Sequence, residues 1–280
     1  MSRLETTFAA LRRAGRPGLV TYTTAGDPDL ACSGRILRAL DAAGADVLEV
    51  GVPFSDPLAD GPVIQRASER ALSAGATLRR TLSLVAEVRP SIRAGIVLFT
   101  YANPVIRMGL EDFVDRASAA GVDGVLMLDL PIEEADGLRA ALDGSGIDPI
   151  FLLSPTTTDA RLRRAAALGR GFLYGISRLG VTGARDTIAV GAKALVERIR
   201  AASELPVALG FGISRPEQVA EVTRWADAAV VGSALVDVIA RATPDTAATE
   251  AARYVAWLRG ADGAVAVANG TAATAGPDDD

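Results

Sequence analysis

The sequence predicts an α/β protein: a single-domain (β/α)8 barrel of the TIM type with an extra helix at the amino terminus. Short apolar runs rich in β-branched residues alternate with Ala/Leu/Arg/Glu-rich segments of helical period, which is typical of a parallel sheet covered by helices. Eight such runs occur before Gly260. Eight strand and helix units in about 250 residues match a closed barrel, whereas a doubly wound sheet usually has nearer six strands.

The elements are predicted in chain order. The first segment, MSRLETTFAALRRAGRPG, reads as a short amphipathic helix without the apolar core of a signal peptide. The eight predicted strands are GLVTYTTA from Gly18, DVLEVGVPF from Asp46, IVLFTYA from Ile96, GVLMLDLP from Gly124, PIFLLSP from Pro149, GFLYGIS from Gly171, PVALGFGIS from Pro206 and AAVVGSALV from Ala228.

Two connections are longer than the others, after the second and the sixth predicted strands. They contain SDPLADGP at 55–62 and RLGVTGARDT at 178–187. Barrel active sites are built from the loops that follow the carboxyl ends of the strands. We therefore expect these two loops to lie over one mouth of the barrel.

We expect residues 1–260 to form the catalytic barrel and residues 261–280 to form a disordered tail. The chain has 280 residues and is 49% hydrophobic, which is enough for a large core in one domain. The tail, ADGAVAVANGTAATAGPDDD, is low in complexity and polar at its end.

The charge and the cysteine content limit which kinds of partner and which cellular compartment are expected. The net charge is -5, and no Lys/Arg cluster is interleaved with aromatic residues, so a nucleic acid partner is not expected. No apolar run approaches the ~18 to 20 residues of a membrane span, so no membrane is expected either. The one cysteine, Cys32, allows no internal disulfide and no thiol metal site. These features favour the cytoplasm.

Glu49 is the first candidate catalytic residue, because it interrupts an apolar strand between Leu48 and Val50. Near the mouth of a barrel, burial would raise the pKa of this carboxyl, as suits a group that gives and takes protons near neutrality. The alternative is a structural acid paired with an arginine. Asp60, in the long loop that follows, would supply a second carboxylate in a different environment, although a loop aspartate also commonly forms a turn.

Glycine motifs after the seventh and eighth predicted strands indicate a phosphate site. LGFGIS ends one strand, and VVGSALV ends the other and runs into an apolar segment. In barrel enzymes this pair of loops and the start of a short helix commonly bind phosphate through backbone N–H groups. In the loop after the sixth strand, Gly183 could add backbone contacts and Thr182 a hydroxyl.

Several chemistries are excluded by what the sequence lacks. It has no histidine, and its single lysine, Lys193, falls on a predicted outer helix, so zinc aldolases, His-based hydrolases and Schiff-base aldolases are not expected. No nucleotide-binding glycine motif occurs in the right context. Acid–base work is left to the carboxylates and to Tyr174, in the middle of the sixth strand.

Eight motifs carry a resemblance to a known family. They are TAGDP at 24–28, LEVGVPFSDPLADGPVIQ at 48–65, YANP at 101–104, GVDGVLMLDLP at 121–131, LLSPTTTDAR at 152–161, GVTGAR at 180–185, GFGIS at 210–214 and VVGSALV at 230–236. In these motifs, and from about Phe8 to Gly260, the chain closely resembles the alpha subunit of tryptophan synthase.

The resemblance implies a reaction and a partner. That family cleaves indole-3-glycerol phosphate to indole and glyceraldehyde 3-phosphate in tryptophan biosynthesis. It passes indole to a beta subunit that holds pyridoxal phosphate, in an alpha2-beta2 assembly. The resemblance implies no cofactor in this chain itself.

The resemblance also implies roles for single residues. Glu49 would be the general acid/base, Asp60 would stabilise the indole N–H, and Tyr174 would orient the substrate or Glu49. The residues implied for phosphate are Gly183, Phe211, Gly212, Gly232 and Ser233. Tyr22, Phe99 and Leu126 are candidate walls for the indole ring, with ordinary core packing as the alternative.

Two other functions remain open from the sequence. One is a stand-alone indole-3-glycerol-phosphate lyase that releases free indole and has the same residues. The other is a catalytically silent activator of a beta subunit, which the intact Glu49, Asp60 and glycine set argues against.

Overall fold

The computed structural model describes residues 1–176, 185–210 and 212–260, with only the backbone of 185–190. Nine parallel strands form one sheet within these residues. They are β1 (Gly18–Thr24), β2 (Val47–Gly51), β3 (Gly95–Thr100), β4 (Gly124–Met127), β5 (Asp148–Ile150), β6 (Leu152–Leu153), β7 (Leu173–Ile176), β8 (Val207–Gly210) and β9 (Ala228–Val231).

Twelve α-helices accompany these strands in the described part of the chain. They are α1 (Arg3–Arg13), α2 (Leu30–Ala42), α3 (Pro62–Ser73), α4 (Leu78–Val88), α5 (Ala102–Met108), α6 (Leu110–Ala120), α7 (Asp136–Leu142), α8 (Asp159–Leu168), α9 (Arg185–Ala202), α10 (Pro216–Val222), α11 (Ser233–Arg241) and α12 (Ala247–Leu258). None of the helices described has both the length and the apolar composition needed to cross a bilayer.

The sheet closes on itself. Its strand order is β5-β4-β3-β2-β1-β9-β8-β7-β6, and the two end strands, β5 and β6, follow each other directly in the chain. The predicted barrel is therefore confirmed. The fifth predicted strand differs in one respect, because it forms two short segments on either side of Phe151. The first segment pairs with β4 and the second with β7, and Pro149 has no N–H for the ladder.

The predicted amino-terminal helix is α1, and it closes the bottom of the barrel. Ser2 caps it in a capping box with Glu5. Leu4, Phe8 and Leu11 are buried among inward-facing strand residues. Leu4 lies over the first residues of two strands: a Cβ on Gly95 would come within 2.5 Å of its side chain, and one on Gly124 within 2.9 Å.

Three aspartates at the same end of the barrel share one arrangement, which we call the aspartate clamps. Each immediately precedes a strand, and its carboxylate accepts the N–H of a residue in the neighbouring strand. The pairs are Asp46 with Leu19 at 2.8 Å, Asp123 with Ile96 at 2.8 Å and Asp227 with Val207 at 2.9 Å. Each clamp also pairs with arginine: Asp46 with Arg16 and Arg259, Asp123 with Arg3 and Arg89, and Asp227 with Arg200. Arginines therefore balance the charge of these carboxylates at the end of the barrel opposite the mouth.

Candidate active site

The site lies at the carboxyl ends of the strands, where β1 and β2 place two polar side chains inside the barrel. Tyr22 and Glu49 are register partners, and Glu49 in turn pairs with Val97. Register partners on parallel strands project to the same face of the sheet. Because Val97 belongs to the cluster that fills the barrel interior, Tyr22 and Glu49 point inward as well.

Glu49 is buried without a partner in the described residues. Its exposure is 1%, and neither carboxyl oxygen has a hydrogen-bond partner among them. Burial raises the pKa of the Glu49 carboxyl to about 8. No salt bridge to Glu49 occurs within the described part of the chain, which disfavours the alternative of a structural acid held by an arginine.

Two tyrosines flank Glu49, and each occupies space left by a glycine. A Cβ on Gly51 would collide with the Tyr22 hydroxyl, and one on Gly210 would come within 2.8 Å of the Tyr174 hydroxyl. Burial raises the pKa of both phenols, and the charge of Glu49 raises each pKa further. Both phenols therefore remain protonated, and Glu49 lies within electrostatic range of both.

The apolar wall consists of residues predicted to enclose the indole ring. Tyr22 and Phe99 meet edge to face, with ring centroids 5.2 Å apart. Phe99 pairs in register with Leu126, which is completely buried among the interior residues. Their packing fits a ring wall and ordinary core equally well, so the binding role stays a prediction.

Asp60 lies in the loop between β2 and α3. The Tyr101 hydroxyl donates a hydrogen bond of 3.0 Å to Asp60 Oδ2. Burial raises the pKa of Asp60, and this hydrogen bond lowers it. The charge of Asp60 also contributes to the raised pKa of Tyr22, after burial. Asp60 therefore lies within electrostatic range of the phenol that neighbours Glu49.

The glycine end of the site joins β8, β9 and α11. Gly210 and Val230 are register partners, so the two glycine motifs follow adjacent strands. Gly212 has φ +60°, a conformation that favours glycine. Gly232 is the residue before α11, and Ser233 is the first residue of that helix. A Cβ on Gly232 would lie 3.6 Å from the Tyr22 Cβ, so this end of the site adjoins the wall.

Three predicted site residues, Thr182, Gly183 and Phe211, lie outside the described residues, as does the predicted tail 261–280. The sequence does not predict Tyr101 as a site residue, although Tyr101 belongs to the YANP motif. The available signal was its position directly after β3, at the mouth of the barrel. Across the described ranges, no group of His, Cys, Asp and Glu side chains could hold a metal ion.

A closed parallel barrel with a buried acid at its mouth and glycine turns after its last two strands places the chain in the class of TIM-barrel enzymes. Residues 8–264 match the family model "Tryptophan synthase alpha chain". The chain therefore belongs to the tryptophan synthase alpha chain family.

Individual relatives agree with this assignment. The tryptophan synthase alpha chain of Geobacter sulfurreducens is 50% identical over 263 residues, which cover 94% of this chain and 100% of the relative. That of Methylococcus capsulatus is 50% identical, with 92% and 98% covered. Among solved structures, tryptophan synthase subunit alpha from Legionella pneumophila is 36% identical with a TM-score of 0.85, covering 93% of this chain and 98% of that chain. A Mycobacterium tuberculosis tryptophan synthase structure is 37% identical, with the same TM-score and coverage.

Proposed function

We propose that Glu49 and Asp60 carry out the alpha reaction of tryptophan synthase in this chain: cleavage of indole-3-glycerol phosphate to indole and glyceraldehyde 3-phosphate. The family assignment gives the reaction, which is a lyase activity of tryptophan biosynthesis. The observation that carries the residue assignment is Glu49, a buried carboxyl at the barrel mouth without a partner in the described residues.

The chemistry needs one group that moves a proton in both directions. The neutral Glu49 carboxyl donates its proton to carbon 3 of the indole ring, and the ring nitrogen takes up the positive charge. The bond between carbon 3 and the glycerol chain then breaks, and its electron pair returns to the ring. The hydroxyl proton on the neighbouring carbon passes to the Glu49 carboxylate as the aldehyde forms. Glu49 ends the cycle protonated, so the step is balanced.

Asp60 supports the same step at the ring nitrogen. Its carboxylate accepts a hydrogen bond from the indole N–H, and this bond strengthens as the nitrogen becomes positive. Protonated indole is its own electron sink, so the alpha reaction needs no metal or cofactor.

The remaining predicted residues bind and orient the substrate. Gly212, Gly232 and Ser233 offer backbone N–H groups and the start of α11 to the phosphate. Thr182, Gly183 and Phe211 are predicted to join them. Tyr22, Phe99 and Leu126 enclose the ring, and Tyr174 orients the substrate or Glu49. Anchoring the phosphate holds the reacting carbon beside Glu49.

The chain works with a beta subunit that holds pyridoxal phosphate, in an alpha2-beta2 assembly, and we place both in the cytoplasm. Leu58 and Ile106 are large apolar side chains exposed at 93% and 74% on the mouth side of the barrel. They suit a surface that a partner covers. The comparisons favour neither a stand-alone lyase nor a silent activator, because the relatives are named tryptophan synthase alpha chains.

The experiment is to measure formation of both products from indole-3-glycerol phosphate with and without the beta subunit. Glu49→Gln keeps the shape of the side chain but cannot move a proton, so kcat should fall about 10²- to 10⁴-fold with little change in binding of a product analogue. Glu87→Gln, at a surface glutamate paired with Arg38, is the matched control and should keep wild-type turnover. Substantial turnover by Glu49→Gln would exclude the assignment.

A further inference from the structure

We propose that Tyr101 is a positioning residue for Asp60, whose carboxylate its hydroxyl holds at the mouth of the barrel. This inference rests on the proposed function, in which Asp60 receives the indole N–H. Tyr101 need not touch the substrate for this role, because it acts through Asp60.

The Tyr101 hydroxyl makes two hydrogen bonds to consecutive loop residues. It donates to Asp60 Oδ2 at 3.0 Å and accepts the Ala59 N–H at 3.1 Å. Because the oxygen both donates and accepts, the direction of its proton toward the carboxylate is fixed. Tyr101 is only 4% exposed, so little water competes for these bonds.

The Tyr101 ring is held by its own surroundings. It packs on Phe54, at the start of the same loop, with centroids 4.9 Å apart and an interplanar angle of 32°. The next residue, Ala102, donates its N–H to Asp129 Oδ1 at 2.6 Å. These contacts therefore join the loop to the end of β3, a strand of the barrel.

The Asp60 backbone is held independently of its side chain. The Gln65 side-chain amide, from α3, donates to the Asp60 carbonyl at 2.8 Å. Removing the Tyr101 hydroxyl should therefore release the carboxylate and one N–H, while the Gln65 contact and the packing on Phe54 keep the loop in place. Loss of orientation can be measured apart from loss of the loop.

The same hydrogen bond favours the ionised form of Asp60 and opposes the larger effect of burial. Burial raises the pKa of this carboxyl, and the bond from Tyr101 lowers it. Among the described residues, the other titratable groups around the pair are Tyr22 on β1, Glu49 beyond it, and Asp129 beside Tyr101. None of these is a cation that could replace the Tyr101 bond. Without the hydroxyl, the pKa of Asp60 should rise and the carboxylate should be lost at a higher pH.

The test is a double-mutant cycle between Tyr101→Phe and Asp60→Asn, measured in the isolated chain and in complex with the beta subunit. We expect Tyr101→Phe to lower kcat roughly ten- to a hundredfold, the range for a hydrogen bond to a charged group, with little change in KM. The acid limb of its pH–rate profile should move to higher pH. In the Asp60→Asn background, Tyr101→Phe should cause no further loss, because the hydroxyl acts through that carboxylate.

Two controls separate this role from a structural one. Tyr254→Phe removes another buried tyrosine hydroxyl that makes one 3.0 Å bond, to the Ser214 carbonyl, and should affect stability without moving the acid limb. Phe54→Leu removes the stacked ring but keeps the Tyr101 hydroxyl, so its acid limb should move less than that of Tyr101→Phe.

The outcomes distinguish this inference from the proposed function. An inactive Asp60→Asn with a wild-type Tyr101→Phe overturns the positioning role alone, as does an equal loss from Tyr101→Phe in both backgrounds. An acid limb that moves as far in Phe54→Leu as in Tyr101→Phe also overturns it. A fully active Asp60→Asn instead overturns the proposed role of Asp60.

Discussion

Tyr22 and Glu49 are register partners on β1 and β2, so a phenol stands directly beside the buried carboxyl. Burial raises the pKa of Tyr22 above its ordinary value, and this phenol stays neutral throughout the working pH range. It offers no positive charge that would favour the Glu49 carboxylate. Burial therefore dominates the protonation of Glu49 and keeps this carboxyl neutral near pH 7, ready to donate.

The first prediction concerns the pH dependence of catalysis. Because the raised pKa of Glu49 is about 8 and the proton donor is the neutral form, kcat/KM should fall as pH rises through about 8. The chain has no histidine, and a phosphate ester titrates near 6. The fall in kcat/KM near pH 8 is therefore not explained by a histidine or by the substrate phosphate. The measurement is kcat/KM between pH 6.5 and about 9.5. A flat profile would contradict the proposed donor.

The second prediction concerns the beta subunit. The isolated chain should be slow, and kcat should rise on titration with the beta subunit. A partner docked at the mouth reaches the loop that carries Asp60 and favours the arrangement in which both carboxylates meet the substrate. Ile106→Asp, on the exposed side of α5, should weaken this partner's affinity roughly tenfold without changing the isolated rate. Ala10→Asp, on an exposed position of α1 at the opposite end, is the control and should bind normally. Equal affinity of both variants would exclude the α5 surface.

The third prediction concerns Leu4, the residue of α1 that lies over the first residues of two strands at the bottom of the barrel. Leu4→Ala should lower the free energy of unfolding by about 2 to 5 kcal/mol, as a fully buried leucine does. Gly95→Ala should cost about 1 to 3 kcal/mol, because its Cβ meets the Leu4 side chain. The double variant should lose less than the sum, since shortening Leu4 makes room for the new methyl group. Urea unfolding measures all three, and strict additivity would show that the two sites do not interact.

The fourth prediction concerns Asp148, which accepts a hydrogen bond from Ser2 and is 3% exposed. Burial raises its pKa from 3.8 to about 6. The folded state therefore binds this proton more tightly than the unfolded state. The resulting stabilisation is complete below about pH 4 and is lost as pH rises through 6. Asp148→Asn should lack this component, so wild type minus variant stability should decline from pH 4 to 7. A constant difference would contradict the assignment.

The sequence predicts the barrel because each strand and each helix has its own local pattern of apolar residues. It also predicted Glu49, since a carboxyl inside an apolar strand is visible without a structure. It did not predict the break at Phe151, which depends on pairing with two different strands, or the Tyr101–Asp60 bond, which joins residues 41 positions apart. Contacts of that kind depend on how the closed barrel aligns distant segments. The phosphate roles of Thr182, Gly183 and Phe211 stay predictions.

The aspartate clamps have a consequence for how this scaffold tolerates change. Asp46, Asp123 and Asp227 tie neighbouring strands together at the end of the barrel opposite Glu49, and their arginine partners belong to that end as well. Exchanging the loops that carry Asp60 or the glycine turns leaves all of these bonds intact. The chain thus separates the bonds that secure its architecture from the side chains that decide its chemistry. In design or in evolution, the side chains at the mouth can therefore change without altering the bonds that join the strands at the opposite end.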